Sequence, residues 1–315
     1  LREIPLSLLS SLIKDVVGKN KQGAPEAAPA ATSQRTVEAI YAEIKASLEV
    51  GNIAGAEKLF AELTTSYPGI PGLKGVEAEI HAATMHQRFP GPDYRVWLQW
   101  FHAKVKPANY LEIGVETGES LQYAKAPTRC VGVDPGVALS YTLQTWAKLY
   151  KQASDDFFRQ HDARQVFGSG DIDLAFIDGM HTFDQALRDF INTERYSAPG
   201  SVILFHDILP VVPATASREQ ETTVWIGDTW KVLLLLKKYR PDLKIFTIPT
   251  QPSGLAVVVN LAPENRVLTT QLDEIVRDGF SMKLEDYFND INSHLNVMAS
   301  NDFDAVNRLL DSTKT

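Results

Sequence analysis

Between Asn109 and Ser120 the chain reads Asn-Tyr-Leu-Glu-Ile-Gly-Val-Glu-Thr-Gly-Glu-Ser, and this stretch limits the fold more than any other. The apolar run Tyr110 to Val115 predicts a short strand that leads directly into a turn carrying Gly114 and Gly118. A second strand, Cys130 to Val133, ends on Asp134. A strand, a glycine turn, a helix and a second strand with an acid at its tip form the opening unit of a nucleotide-type α/β fold. Open parallel sheets bind ligands outside the carboxyl ends of their strands, which aims both the turn and Asp134 at a cofactor.

The chemistry of the turn narrows that cofactor. A dinucleotide fingerprint, G-x-G-x-x-G, needs its second glycine so that a pyrophosphate can approach the backbone. Counted from Gly114, that position is Glu116, and Glu112 lies two residues upstream. Carboxylates here would repel a pyrophosphate and would suit a cofactor carrying positive charge. A tight strand-to-helix turn in another kind of α/β protein has the same glycine pattern.

Two further strand ends carry reactive side chains. Leu174 to Ile177 predicts a fourth strand that ends in Asp178-Gly179-Met180-His181. Thr182 then starts a helix, with Gln185 placed to complete a capping box. Phe183, Ala186, Leu187, Phe190 and Ile191 form its buried stripe. After Pro199-Gly200, the strand Ser201 to Phe205 ends in His206-Asp207. Adjacent parallel strands finish side by side, so Asp178 and Asp207 are expected close together. Two like charges at one edge destabilise each other unless something compensates them. A hard divalent cation such as magnesium, calcium or manganese is one solution, with Asp178, His206 and Asp207 as ligands. His181 is then placed to take a proton, since imidazole titrates near neutral pH. The alternative leaves Asp178 and His181 as turn and capping residues and His206 as a hydrogen-bonded histidine at a strand end.

These motifs together resemble class I S-adenosylmethionine-dependent methyltransferases. Glu112-x-Gly114-x-x-x-Gly118 with Asp134 is similar to motifs I and II of that class. Phe176-Ile-Asp-Gly-Met-His181, followed by a helix and Leu204-Phe-His-Asp207, looks like methyltransferase family 24. The resemblance covers about residues 94–260. It implies a Rossmann-like methyltransferase fold: a seven-stranded, mostly parallel α/β sheet with the last strand antiparallel. It also implies S-adenosylmethionine as cofactor, held by Glu112, Gly114, Gly118, Ser120 and Asp134, with Asp134 on the ribose hydroxyls. A third strand, Leu149 to Ala153, is followed by Ser154-Asp155-Asp156, and the family pattern puts Asp155 on the adenine amine. An N-cap for the next helix is the local alternative for Asp155. In metal-dependent relatives, acids after the fourth and fifth strands bind magnesium and an Asp-x-x-His histidine is a proposed base. Carried over by position, these are Asp178, the His206/Asp207 pair and His181. Here the chain departs from its relatives, because His206 stands where they have an acid. The implied reaction is methylation of a hydroxyl on a small molecule, sugar or glycan. A nicotinamide-dependent oxidoreductase and a catalytically silent interaction protein are the rival readings.

The rest of the chain supplies packing and boundaries. With 315 residues, 44% of them hydrophobic, it is long enough for one large domain with additions. A net charge of −8 disfavours nucleic acid as a partner. The single cysteine, Cys130, excludes an intrachain disulfide and fits a core position in a reducing, cytoplasmic setting. No apolar run reaches the roughly 18 residues of a membrane span. Residues 1–18 predict an amphipathic helix, with Lys14 and Asp15 arguing against a signal peptide, and an Ala/Pro-rich linker follows to residue 35. Residues 36–90 read as a helical region similar to one tetratricopeptide-type hairpin, 91–262 as the α/β domain, and 263–315 as a helical extension. The outer helical regions are expected to pack on the body, on a second copy or on a protein partner. Helices are also expected through Tyr141, Leu143 and Trp146, and over the stripe Leu284, Phe288, Ile291 and Leu295. The loop Pro210 to Thr223 reads as a lid. In the Trp225-to-Lys231 segment, Asp228, Trp230 and Lys231 either line the acceptor pocket or cap and pack the next helix.

Overall fold

The computed structural model describes residues 35–168, 170–299 and 302–312. The predicted N-terminal helix, and all of the linker except Arg35, lie outside the described residues. The described chain divides into two units. The first holds residues up to Thr84 together with Thr222–Val224. The second holds Met85–Glu221 and the residues from Trp225 onward.

In the first unit, α1 (Val37–Glu49) starts on Thr36, whose hydroxyl accepts from the Ala39 amide. Helix α2 (Ile53–Ser66) starts on Asn52, which caps Gly55 in the same way. Such caps satisfy backbone donors that a helix start leaves open. With the start of α3 (Leu73–Arg88), their apolar faces enclose a core of Ile40, Ile44, Ala56, Leu63, Val76 and Ile80.

The second unit begins its sheet after α4 (Tyr94–Val105), whose Trp97, Leu98 and Phe101 are fully buried. The strands are β1 (Asn109–Ile113), β2 (Arg129–Val133), β3 (Ala147–Tyr150), β4 (Ile172–Ile177), β5 (Ser197–Phe205), β6 (Lys244–Ile248) and β7 (Leu255–Val259). The intervening helices are α5 (Ser154–Gln160), α6 (Ala163–Val166), α7 (Phe183–Arg195) and α8 (Lys231–Tyr239). The seven strands lie in the order β3-β2-β1-β4-β5-β7-β6. β7 pairs antiparallel with both β5 and β6, and the other pairings are parallel. This is the Rossmann-like methyltransferase topology expected from the motifs. Tyr110, Leu111, Leu174, Phe176, Leu204 and Val257 are fully buried, as strands covered on both faces require. After β7 come α9 (Val267–Thr270), α10 (Leu272–Ser281), α11 (Ile291–His294) and α12 (Phe303–Asp311). Among the described residues no helix is long and apolar enough to cross a membrane.

Several predicted elements differ. The helix expected between β1 and β2 is a single 3-10 turn, Leu121–Tyr123. The Ser120 hydroxyl goes to Glu112 instead of capping a helix, and Pro127 closes the segment soon after. The helix expected after Asp134 is also absent. Ala138 N and Ser140 N donate to the carbonyls of Glu116 and Thr117, so the segment is tied to the glycine turn instead of to itself. β3 begins earlier than predicted, at Ala147. The stripe from Leu284 to Leu295 breaks into two 3-10 turns and the short α11.

A buried ion pair ties α7 to the sheet edge. Arg240, at the end of α8, is 1% exposed and forks onto Glu194 at 2.6 and 2.8 Å. Glu194 also accepts from Ala262 N beyond β7. Removing one member of such a pair leaves a buried charge uncompensated. Arg240→Met should therefore lower stability by about 3–5 kcal/mol, read from urea unfolding at neutral pH.

Candidate active site

The carboxyl ends of β1 to β5 open onto a cavity of about 710 Å³. In-register pairing sets its wall. Val133, Ile113, Ile177 and Phe205 lie opposite one another across β2, β1, β4 and β5. The residues after them, Asp134, Gly114, Asp178 and His206, therefore emerge side by side on the cavity wall.

Gly114 has φ +87°, and a Cβ there would lie 1.9 Å from the Asp178 carbonyl oxygen. Only glycine lets β1 and β4 end this close together. Glu116, at the position where a dinucleotide site has glycine, adopts φ +45° and is exposed on the cavity wall. Asp134 organises the turn: Oδ2 accepts from Val115 N and Glu116 N at 2.9 Å each, and Oδ1 accepts from Gly136 N at 2.5 Å. Gly118 forms the far corner of the turn at φ +81°.

Glu112 sits one layer behind the wall and is fully buried. It accepts from the Ser120 hydroxyl at 2.7 Å and the Tyr110 hydroxyl at 2.6 Å, and Ser120 itself lines the cavity. Burial raises the Glu112 carboxyl to about 8, against the pull of those two hydrogen bonds. Asp155 lies in the first turn of α5, where its carboxylate meets Gln185 and Arg188. The cavity wall beside it consists of Ala153 and Ser154.

Asp178, His181, Asp207 and His206 converge in a ring. His181 Nε2 lies 2.9 Å from Asp207 Oδ2 and 3.5 Å from Asp178 Oδ1. His206 Nδ1 lies 3.3 Å from that Asp178 oxygen and 3.4 Å from that Asp207 oxygen. Acids and imidazoles thus alternate. Burial would push both imidazoles down, but the Asp207 and Asp178 carboxylates outweigh it, raising His181 to about 11 and His206 to about 10. Burial would raise both carboxyls. The histidines reverse this, holding Asp178 below and Asp207 well below the ordinary carboxylate range. With two positive and two negative groups, the ring is close to neutral, as a buried site requires.

Neighbours fix this ring. Ser253 donates to Asp207 Oδ1 at 2.5 Å, and the Tyr94 ring lies 4.1 Å from that of His206. The Trp225 ring lies 5.2 Å from His181. Asp228 N donates to the His181 carbonyl, and a Cβ on Gly227 would stand 1.7 Å from that oxygen. His181 and Asp207 both hold left-handed backbone angles, φ +49° and +55°. For non-glycine residues such angles are costly and gather at functional sites.

The predicted capping box at Thr182 is replaced. Thr182 makes no side-chain cap, and Asp228 Oδ1 instead accepts from Phe183 N at 3.0 Å. Asp228 thus caps α7 rather than the helix that follows it, while Trp230 is buried. Gln185 turns to Ser154, Asp155 and Asp189. Tyr94, Asp189 and Ser253 carry no sequence signal of their own. Their part in the site comes from tertiary packing.

Residues 111–208 match the family model Methyltransf_24, described as a methyltransferase domain. No curated protein matches the chain in sequence. Solved structures similar to the chain include the O-methyltransferase of tomaymycin synthesis from Streptomyces achromogenes, in complex with S-adenosylmethionine. That likeness has 16% identity over 57% of this chain and 88% of the other, with a TM-score of 0.40. An O-methyltransferase from Bacillus cereus, in complex with S-adenosylhomocysteine, shares 16% identity over 64% of this chain and 97% of the other, at a TM-score of 0.39. A Podospora anserina methyltransferase bound to S-adenosylhomocysteine shares 13% over 82% and 97%, also at 0.39.

Glu112 offers a test of how the cavity floor is built. Its folded carboxyl binds a proton more tightly than the unfolded one, whose ordinary value is 4.5. The stability this contributes is full below about 4.5 and is lost as pH rises through about 8. Glu112→Gln removes the ionisation. Relative to the parent, the variant should gain at least about 1 kcal/mol between pH 5 and pH 9 in paired denaturant titrations.

Proposed function

Since residues 111–208 form a methyltransferase domain of the Methyltransf_24 family, class I and dependent on S-adenosylmethionine, we propose that the chain methylates a hydroxyl oxygen of a small-molecule acceptor. A sugar or another hydroxylated natural product is the acceptor class. The observation that carries this reading is the ring of Asp178, His181, Asp207 and His206, facing the same cavity as Gly114 and Asp134.

Methyl transfer is an in-line displacement, so holding the acceptor oxygen in place supplies much of the rate. The acceptor must also lose a proton, which calls for a basic group at the same spot. Asp134 and the glycine turn hold the ribose and amino-acid parts of the cofactor, with Ser120 fixed from behind by Glu112. Glu116 adds negative charge to the wall facing a cationic cofactor and opposes a pyrophosphate. Asp178 and Asp207 orient the acceptor hydroxyl. His181 takes its proton when neutral, which requires that the carboxylate charge holding the imidazole protonated be offset.

The ring also suits a divalent ion. Asp178, His181 and Asp207 offer one donor atom each, all within 4.8 Å of one another. The four edges, 2.9 to 3.5 Å, approach the roughly 3 Å between neighbouring ligands at metal–oxygen distances near 2.1 Å. With His206 as a second imidazole, the donor set favours manganese, iron, cobalt or zinc over magnesium. Held by Asp178, Asp207 and His206, a dication would polarise the acceptor hydroxyl and offset the carboxylate charge that keeps His181 protonated, leaving that imidazole as the base.

The test begins with calorimetry on the purified protein, using S-adenosylhomocysteine and NAD⁺ in parallel. Binding of the first alone is expected, and binding of NAD⁺ alone would overturn the reading in favour of an oxidoreductase. Radiolabelled methyl transfer to a panel of hydroxylated acceptors then follows, after chelation and after adding back manganese or magnesium. His181→Ala should lower turnover by about 100-fold, with S-adenosylhomocysteine affinity changed by less than about twofold. Unchanged turnover would remove His181 from the chemistry. Manganese affinity of the chelated protein, followed by electron paramagnetic resonance, should fall at least about tenfold in Asp207→Asn.

A further inference from the structure

A second buried acid lines the cavity, away from the ring. Asp189, in the middle of α7, is 1% exposed. Its Oδ1 takes two donors, the Ser154 hydroxyl at 2.6 Å and Gln185 Nε2 at 3.0 Å. Among the described residues its Oδ2 takes no hydrogen bond, and it faces Gly179, 3.7 Å from where a Cβ would stand on that glycine. Ser154, Gln185, Gly179 and Asp189 are all on the cavity wall. Next to Gly179, Met180 presents a 69% exposed apolar side chain to the same cavity.

A buried carboxyl with one oxygen doubly bonded and the other free is costly unless a ligand completes it. Burial pushes the Asp189 carboxyl up to about 6, against the pull of Ser154 and Gln185, so a further donor would favour its charged form. The class of donor follows from the layout. Asp134 and the glycine turn take the ribose and amino-acid parts of an adenosyl cofactor. The base is left for the part of the cavity reached from the end of β3, between Ser154 and Met180. There adenine offers an exocyclic amine as donor and a flat face for the methionine.

We propose that Asp189 reads the base of the cofactor, with Oδ2 accepting the exocyclic amine of adenine while Ser154 and Gln185 lock the carboxyl in place. Asp189 is thus a specificity-determining residue, a role the sequence pattern assigned to Asp155, whose carboxylate is engaged by Arg188 and Gln185. The proposal rests on the adenosyl-cofactor reading above, and its test separates the two.

Calorimetry would compare S-adenosylhomocysteine with S-inosylhomocysteine, in which a carbonyl replaces the amine. The parent protein should prefer the adenosyl ligand by about 10- to 100-fold, because the inosyl carbonyl would face a carboxylate and leave it unpaired. In Asp189→Asn, the donors Ser154 and Gln185 hold the amide oxygen, which turns the amide NH₂ toward the base. Adenosyl binding should then weaken at least about tenfold while inosyl binding tightens, so that the preference collapses or inverts. A merely structural role would lower both affinities together. Ser154→Ala, which removes one of the two locks, should narrow the preference about threefold or more and provides a readout if the asparagine variant does not fold. Equal affinity for the two ligands in the parent, or the same ratio in the parent and Asp189→Asn, overturns the proposal and leaves the cofactor assignment standing. Failure of the parent to bind S-adenosylhomocysteine at all overturns both.

Discussion

Val133, Ile113, Ile177 and Phe205 lie in one row across four parallel strands, and the site depends on that register. Side chains on a strand alternate between faces, so slipping one strand by a single residue would exchange its buried and its ligand-facing sets. Held in register, the row places Asp134, Gly114, Asp178 and His206 next to one another at the tips. The missing side chain of Gly114 lets the backbone of Asp178 come within contact distance, so the glycine turn and the ring of acids and imidazoles form walls of one cavity. β7, inserted antiparallel beside β5, brings the turn before it close enough for Ser253 to reach Asp207.

The second constraint is charge. Four ionisable groups within hydrogen-bond reach of one another could not be buried if they shared a sign. Alternating acids with imidazoles solves this locally, since each carboxylate has two imidazoles beside it and each imidazole two carboxylates. With both histidines protonated the ring is a set of hydrogen-bond donors beside two anions. His206 is therefore more than a substitution for an acid. It takes one carboxylate out of the ring and, protonated, puts a positive charge in its place.

The motifs at the strand tips were legible in the sequence because tight turns and buried acids demand particular residues. Asp134, Asp178, His206 and Asp207 follow apolar runs, and the parallel-sheet rule alone places them at one edge. What surrounds them was not legible, for two reasons. Local helix signals failed where backbone donors found partners far along the chain: Ala138 and Ser140 bond back to the glycine turn, and Asp228 caps α7 from 45 residues away. Supporting side chains such as Tyr94, Asp189 and Ser253 sit on ordinary-looking helix and turn positions. Their neighbours at the site are set by how α4, α7 and the β6–β7 turn pack, which no local pattern encodes.

The backbone of the site is itself held under strain. Glu116, His181 and Asp207 all occupy left-handed angles at which a side chain is costly. Each is held by bonds from elsewhere: Glu116 N donates to Asp134, the His181 carbonyl accepts from Asp228, and the Asp207 side chain is bonded to Ser253. Glycine would relieve the strain at any of the three, but it would remove the carboxylate or imidazole that faces the cavity. Two of these side chains belong to the ring of acids and imidazoles and the third lies on the glycine turn. The strain is thus concentrated where groups must be aimed before a ligand arrives, which is the condition for a site whose charges need not reorganise during the reaction.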